Sequence, residues 1–116
     1  MAGLDRSRDA LFVERLHAKT LARGLSWAST EHEGRYQSKI GEFVIEIGEA
    51  AGGDDHEVLI CGADGRAMEL LTPDLLPPSP EGAPSRQDAF AETFEGARRS
   101  ATGVDRALDS LISALS

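Results

Sequence analysis

The chain has 116 residues, a mass of 12.4 kDa and a formal net charge of −8, which is the size of one domain. Its 41 % hydrophobic content suffices for one buried core, and no apolar run approaches the ~18 residues of a transmembrane helix. Because phosphates and anionic membranes attract basic proteins, this acidic chain without a basic stripe is expected to bind neither nucleic acid nor membrane.

Cysteine content and the first residues favour a cytoplasmic location. Cys61 is the only cysteine, which excludes an intramolecular disulfide. Residues 1–8 are polar and contain no hydrophobic signal segment. Both features are typical of proteins in a reducing compartment.

The first predicted element is a helix over residues 5–23. Phe12, Val13, Leu16 and Thr20 recur at the spacing that places side chains on one helix face. Gly24 follows at a position where a glycine in the left-handed conformation often ends a helix.

Residues 25–71 are predicted to form an antiparallel sheet of about five strands, with a lead-in strand at 25–28 and two hairpins. In the first hairpin, Gly41-Glu42 separates two strand-like segments, which is typical of a type II′ turn. This turn places six residues on one face, in the pairs Ile40 with Phe43, Ser38 with Ile45, and Tyr36 with Ile47.

The second predicted hairpin joins residues 58–61 to 67–71 through Asp64-Gly65, a dipeptide typical of a type I′ turn. Its two faces are both largely apolar: one holds Leu59, Cys61, Met68 and Leu70, and the other Val58, Ile60, Ala67 and Leu71 with Glu69. We therefore expect this hairpin either to be covered on both sides or to leave one face for a partner.

All five prolines lie between Pro73 and Pro84, so residues 72–85 are predicted to be a crossover rather than a strand or helix. Pro77 and Pro80 have the PxxP spacing of SH3-domain ligands. A stiff connection between the sheet and the last helix is the favoured interpretation.

A single long amphipathic helix is predicted over residues 86–115, with a capping box formed by Ser85 and Asp88. Its apolar residues keep an alternating spacing of four and three: Phe90, Phe94, Ala97, Ala101, Val104, Leu108, Leu111 and Leu115. Because this spacing continues across Gly103, the helix is predicted to be uninterrupted there.

The length of this helix suggests an exposed interaction surface. It would extend for about 42 Å, longer than the roughly 35 Å diameter of a compact domain of this size. The apolar residues of its end would then project beyond the sheet. The predicted interface residues are Phe94, Val104, Leu108, Leu111, Ile112 and Leu115.

No catalytic or metal-binding motif is found in the sequence. The three histidines lack the spacing of a helical zinc pair, and Cys61 lies among aliphatic residues without a CxxC partner. A site in which the loops carrying His32 and Asp54–His56 converge is the remaining ligand-binding or metal-binding alternative. No enzyme activity, metal or cofactor is expected.

Two stretches carry a resemblance. Lys19-Thr20 with Leu25-Ser26-Trp27 resembles the KTxxGxLxW opening of a group of small, uncharacterised bacterial α+β proteins, and residues 97–108 resemble its closing helix, with the pattern ARRxxxGVDxxL. The resemblance implies a helix, hairpins and a closing helix, but no activity. This chain has Arg23 where the group has glycine.

The sequence as a whole predicts an α+β domain that acts as a small, acidic, non-enzymatic protein-interaction module. It would form a homodimer or dock as an adaptor on a larger bacterial protein. Small size, acidity and element order are also similar to class I chaperones of type III secretion. That likeness implies the alternative of a chaperone that binds an extended segment of a secreted protein.

Overall fold

Five antiparallel strands and three α-helices make up the structure, a computed structural model that describes residues 5–53 and 55–116. This confirms the predicted α+β fold class. The elements are α1 (Ser7–Leu21), β1 (Ala28–Ser29), β2 (Tyr36–Ile40), β3 (Phe43–Glu49), β4 (His56–Cys61), β5 (Ala67–Leu71), a 3₁₀ turn (Pro73–Leu75), α2 (Arg86–Thr102) and α3 (Val104–Ala114).

Helix α1 ends at Leu21, two residues earlier than the sequence predicted. Arg23, not Gly24, adopts the left-handed conformation, with φ of 59°. The Gly24 N–H donates to Lys19 O at 2.8 Å and the Arg23 N–H to Thr20 O at 3.1 Å, which is the Schellman pattern. A side chain in this conformation costs about 1 kcal/mol, so Arg23 carries backbone strain that glycine would avoid.

The sheet has the order β1-β2-β3-β4-β5, so every strand neighbours the next in sequence. The predicted register of the first hairpin is confirmed, with Ile40 opposite Phe43 and Tyr36 opposite Ile47. Positive φ is found at Gly41 and not at Glu42, as a type II′ turn requires. The lead-in strand lies at Ala28–Ser29 and overlaps the predicted 25–28 only at Ala28.

The second hairpin has the predicted register over most of its length but a different turn. Val58 lies opposite Leu71 and Ile60 opposite Glu69, and a bulge follows at Cys61. The prediction of a type I′ turn is wrong, because that turn requires positive φ at both Asp64 and Gly65 and only Gly65 has it. The Gly65 N–H donates to Gly62 O at 2.9 Å, so a type I turn followed by a left-handed glycine joins the strands.

The core lies between one sheet face and the helices α1 and α2. Tyr36, Ile47, Val58 and Leu71 form a row of buried residues across four strands. The helices contribute the buried side chains Val13, Leu16, Phe90 and Ala97, and Trp27 is buried beside them. We call this side of the sheet the inner face, and the opposite side the outer face.

The proline-rich crossover is held against both helices by Arg86. Its guanidinium donates to Pro77 O at 2.8 Å, to Pro78 O at 3.2 Å and to Glu14 Oε2 on α1 at 2.9 Å. Leu76 enters the core from the same segment. These contacts agree with the interpretation of residues 72–85 as a stiff connection between the sheet and the last helix.

The prediction of one continuous helix over 86–115 is wrong at Gly103. Ser85 caps α2 as predicted, but α2 ends at Thr102 and Gly103 has φ of 75°, outside the helical range. A new helix then starts, with the Ala107 N–H donating to Gly103 O at 2.9 Å. Apolar spacing shows which side of a helix is apolar, but it contains no information on whether the backbone between two turns is continuous.

Candidate interaction surface

Helix α3 is the least covered of the three α-helices. None of its residues is buried, and the molecule is elongated, with principal extents of 61 × 38 × 29 Å. The exposed fractions of its four largest apolar side chains are 40 % for Leu108, 56 % for Leu111, 66 % for Ile112 and 85 % for Leu115. With the half-buried Val104 they form one helix face, which we call the α3 stripe.

Two arginines hold the start of α3. Arg99 on α2 donates from Nε to Asp105 Oδ1 at 3.0 Å. Arg23, at the end of α1, approaches Asp105 Oδ2 at 3.6 Å and Asp109 Oδ2 at 3.3 Å. The ion pairs fix the first two turns of α3 to both other helices, whereas the residues beyond Asp109 extend away from them.

One predicted interface residue lies elsewhere. Phe94 packs into the domain, with its ring centroid 5.6 Å from that of Tyr36 and 4.5 Å from that of His56. It is part of the apolar surface that α2 presents to the sheet. The six predicted residues therefore divide into Phe94, which is partly buried against the core, and the five residues of the α3 stripe.

An apolar groove beside α1 was not predicted. Its walls are Phe12 and Leu16 on α1, together with Leu25 and Ile40. It has a volume of about 190 Å³, and the exposed side chains of Arg15 and Lys19 form its rim. We call it the α1 groove; no local sequence signal indicates it, because its walls come from segments far apart in the chain.

The outer face of the sheet is a second exposed apolar region. Strand β5 is the edge of the sheet, and its side chains Met68 and Leu70 are 62 % and 42 % exposed. Their inner-face neighbour Leu71 is fully buried. Of the two alternatives for the second hairpin, the structure shows that its outer face stays largely uncovered.

A charged cluster lies on the outer face at the start of β2. Arg35 donates to Glu46 Oε2 at 2.7 Å and to Glu57 Oε2 at 3.1 Å, and all three side chains are mostly buried. Burial by itself lowers the pKa of Arg35, but the two carboxylates outweigh it and leave the pKa above its ordinary value. The cluster therefore keeps its central positive charge, and its carboxylates are already engaged.

Gly48 is required beneath this cluster, and we expect Gly48→Ala to disrupt it. A Cβ at residue 48 would lie 2.7 Å from both Cγ and Nη1 of Arg35, closer than real contacts allow. Displacing Arg35 leaves Glu46 and Glu57 without their counterion, which is expected to cost about 1–2 kcal/mol of unfolding free energy. Urea denaturation measures the loss.

The matched control places Gly48→Ala in an Arg35→Ala background. Because the overlapping side chain is then absent, and alanine suits a strand better than glycine does, the second substitution should cost nothing further. A cost that is equal in both backgrounds would contradict the assigned contact.

Within the part of the chain that the structure describes, the two loops proposed as a ligand site do not come together. His56 stacks on Phe94 at the inner face, whereas His32 lines a concavity on the outer face. Asp54 lies outside the described residues. Among the described residues, no group of three or more His, Cys, Asp or Glu side chains is placed to hold a metal ion.

Cys61 lies in the sheet with a buried side chain. Burial, reinforced by the negative charge of Glu46, raises the pKa of its thiol. Since the thiolate is the reactive form, this environment suits a packing residue and disfavours nucleophilic chemistry.

Comparisons with known proteins add no relative. No protein-family model matches the chain, and no curated protein or solved structure matches it significantly. The resemblance to the small bacterial α+β proteins stays a prediction. Within the described residues, no helix combines the length and apolar character needed to cross a bilayer.

Proposed function

We propose that this chain is a non-enzymatic protein-interaction module that self-associates as a homodimer, with α3 as the docking element. The observation that carries the proposal is the exposure of the α3 stripe, in which Leu111, Ile112 and Leu115 are all more than half exposed. Contiguous exposed apolar side chains on one face are typical of protein interfaces.

The stability of α3 supports the same conclusion. Isolated helices shorter than about 12–15 residues are marginal in water, because helix nucleation is unfavourable. Helix α3 has 11 residues and buries none of them within its own chain. A partner that covers the α3 stripe would provide the packing that a helix of this length needs.

The ion pairs at the start of α3 suit a docking role. Arg23 and Arg99 fix the direction in which α3 leaves the domain through their contacts with Asp105. A helix that is already oriented loses less conformational freedom on binding than a flexible tail does. Because these ion pairs lie at the start of α3, they leave the α3 stripe exposed.

The solution mass tests the proposal directly. Light scattering on the purified chain, over a series of concentrations, is expected to give a mass rising to twice the chain mass of 12.4 kDa. A mass that stays at 12.4 kDa throughout the series would show that the exposed stripe does not serve self-association.

A further inference from the structure

We infer that the surface receiving α3 is the α1 groove of a second copy, and that the contact is reciprocal. Each α3 stripe would lie in the partner's groove, so that a two-fold dimer contains the same contact twice. This inference rests on the proposed function, because it names the counterpart of the docking helix.

The size and lining of the groove favour side chains as its occupant. Sites for drug-sized molecules have volumes of about 300–1,000 Å³, whereas the α1 groove has about 190 Å³. Its walls are almost wholly apolar. Phe43, which is exposed and lies opposite Ile40 in the first hairpin, extends the apolar surface beyond the groove. A shallow apolar channel of this kind fits the leucine and isoleucine side chains of a helix.

The charges on the two surfaces are complementary in sign and spacing. Arg15 and Lys19 are four residues apart on α1, and neither forms an ion pair with any described residue. Asp105 and Asp109 have the same separation along one flank of the α3 stripe. Residues four apart on a helix are about 6 Å apart, so either cation can reach Asp109 when the helices lie side by side, while the other lies near the carboxylate of Asp105.

Asp105 already pairs with Arg99 and Arg23, so Asp109 is the aspartate available to a cation of the second copy. The pair between Arg23 and Asp109 is well exposed on both sides, with 60 % and 64 % of the side chains accessible. Exposed pairs of this kind contribute little. Asp109 can therefore approach a cation of the second copy at small cost.

The area needed for a stable dimer also favours the reciprocal arrangement. Stable interfaces bury about 800 Å² on each partner, from some 20–30 residues. Contact between two α3 helices alone involves only 11 residues on each side. Because the reciprocal contact uses both α3 and the groove of each copy, it roughly doubles the surface that each contributes.

Charge reversal at the groove tests the inference. We expect Arg15→Glu combined with Lys19→Glu to weaken dimerisation about 100-fold, because the reversed charges repel Asp109 and the acidic flank of α3 in both halves of the dimer. The control is Lys39→Glu with Arg66→Glu, which changes the net charge equally at exposed positions on the outer face of the sheet and in the second hairpin turn. Sedimentation equilibrium should give the control a dissociation constant within about threefold of the natural chain.

Mixing two defective variants separates this inference from the proposed function. One variant carries the reversed groove and the other carries Leu111→Glu with Ile112→Glu in α3. Each alone is expected to be monomeric, and their mixture is expected to form a heterodimer through one intact contact. If the groove variant alone is fully dimeric and the α3 variant alone is monomeric, the groove is not the surface that receives α3, and the docking role of α3 stands. A monomeric natural chain would overturn both.

Discussion

Replacing both Leu108 and Leu111 with glutamate is expected to abolish self-association while leaving the domain folded. Both side chains lie in the α3 stripe and are at least 40 % exposed in one copy of the chain. Burying two carboxylates in an apolar contact costs several kcal/mol, which corresponds to a loss of affinity of about 100-fold or more. Light scattering measures the dimer, and circular dichroism monitors the fold.

The unfolding free energy of this double variant should change by less than about 0.5 kcal/mol under conditions where the chain is monomeric, because no residue of α3 is buried. Ser110→Glu with Ser113→Glu is the matched control, since it adds the same charge to the polar side of α3. The control should remain dimeric. If the leucine variant loses its cooperative unfolding transition, Leu108 and Leu111 belong to the core and the docking role of α3 is wrong.

Gly96→Ala is expected to destabilise the domain by about 1–3 kcal/mol, as overpacking of a tight contact does. A Cβ at this position would lie 2.7 Å from Cγ2 of Thr20, where α2 passes close to α1. Thr20 is buried and β-branched, so its methyl group cannot rotate away without strain. Alanine is favoured over glycine within a helix by about 1 kcal/mol, which offsets only part of this cost. Thermal and urea unfolding both report the difference.

The control for this prediction is the double variant Gly96→Ala with Thr20→Ser. Serine lacks the methyl group that the added Cβ at residue 96 would contact, so the double variant should recover most of the stability lost by Gly96→Ala. Equal stability of Gly96→Ala and its double variant would show that the overlap with Thr20 is not the source of the cost. If Gly96→Ala is more stable than the natural chain, α1 and α2 can move apart enough to accommodate the added Cβ without cost.

The hairpin registers could be predicted because a strand has a side-chain period of two. A slip of one residue would move Ile45 and Ile47 from the core into water, so the apolar pattern allows only one alignment. The turn of the second hairpin could not be predicted in the same way. Both type I′ and the observed turn place Gly65 at positive φ, and the local sequence does not distinguish between them.

The arrangement at the end of the chain was only partly predictable. The exposed positions of the α3 stripe follow from helical spacing and length, and the structure gives Leu111 and Leu115 the exposure that this reasoning expected. The break at Gly103 does not follow, because glycine is tolerated within helices and also ends them. Phe94 shares the spacing of the stripe, but it lies on α2, where it is partly buried against the sheet.

The α1 groove depends on tertiary packing. Phe12 and Leu16 could be assigned to an apolar helix face from their spacing, but their approach to Ile40 brings together segments far apart in sequence. Periodicity within one element contains no information about such contacts. Arg15 and Lys19 can be assigned to the rim of a groove only when the structure shows that the first hairpin lies beside α1.

Strand β5 ends the sheet, and the backbone groups along its outer edge have no strand partner in the described part of the chain. Such an edge can add strands from other molecules and so start fibrous or amorphous aggregates. At neutral pH the net charge of −8 causes electrostatic repulsion that opposes this aggregation. Near the isoelectric point of about 4.8 that repulsion disappears. Acidic buffers therefore favour precipitation through sheet edges, and crystallisation or storage is best carried out well above that pH.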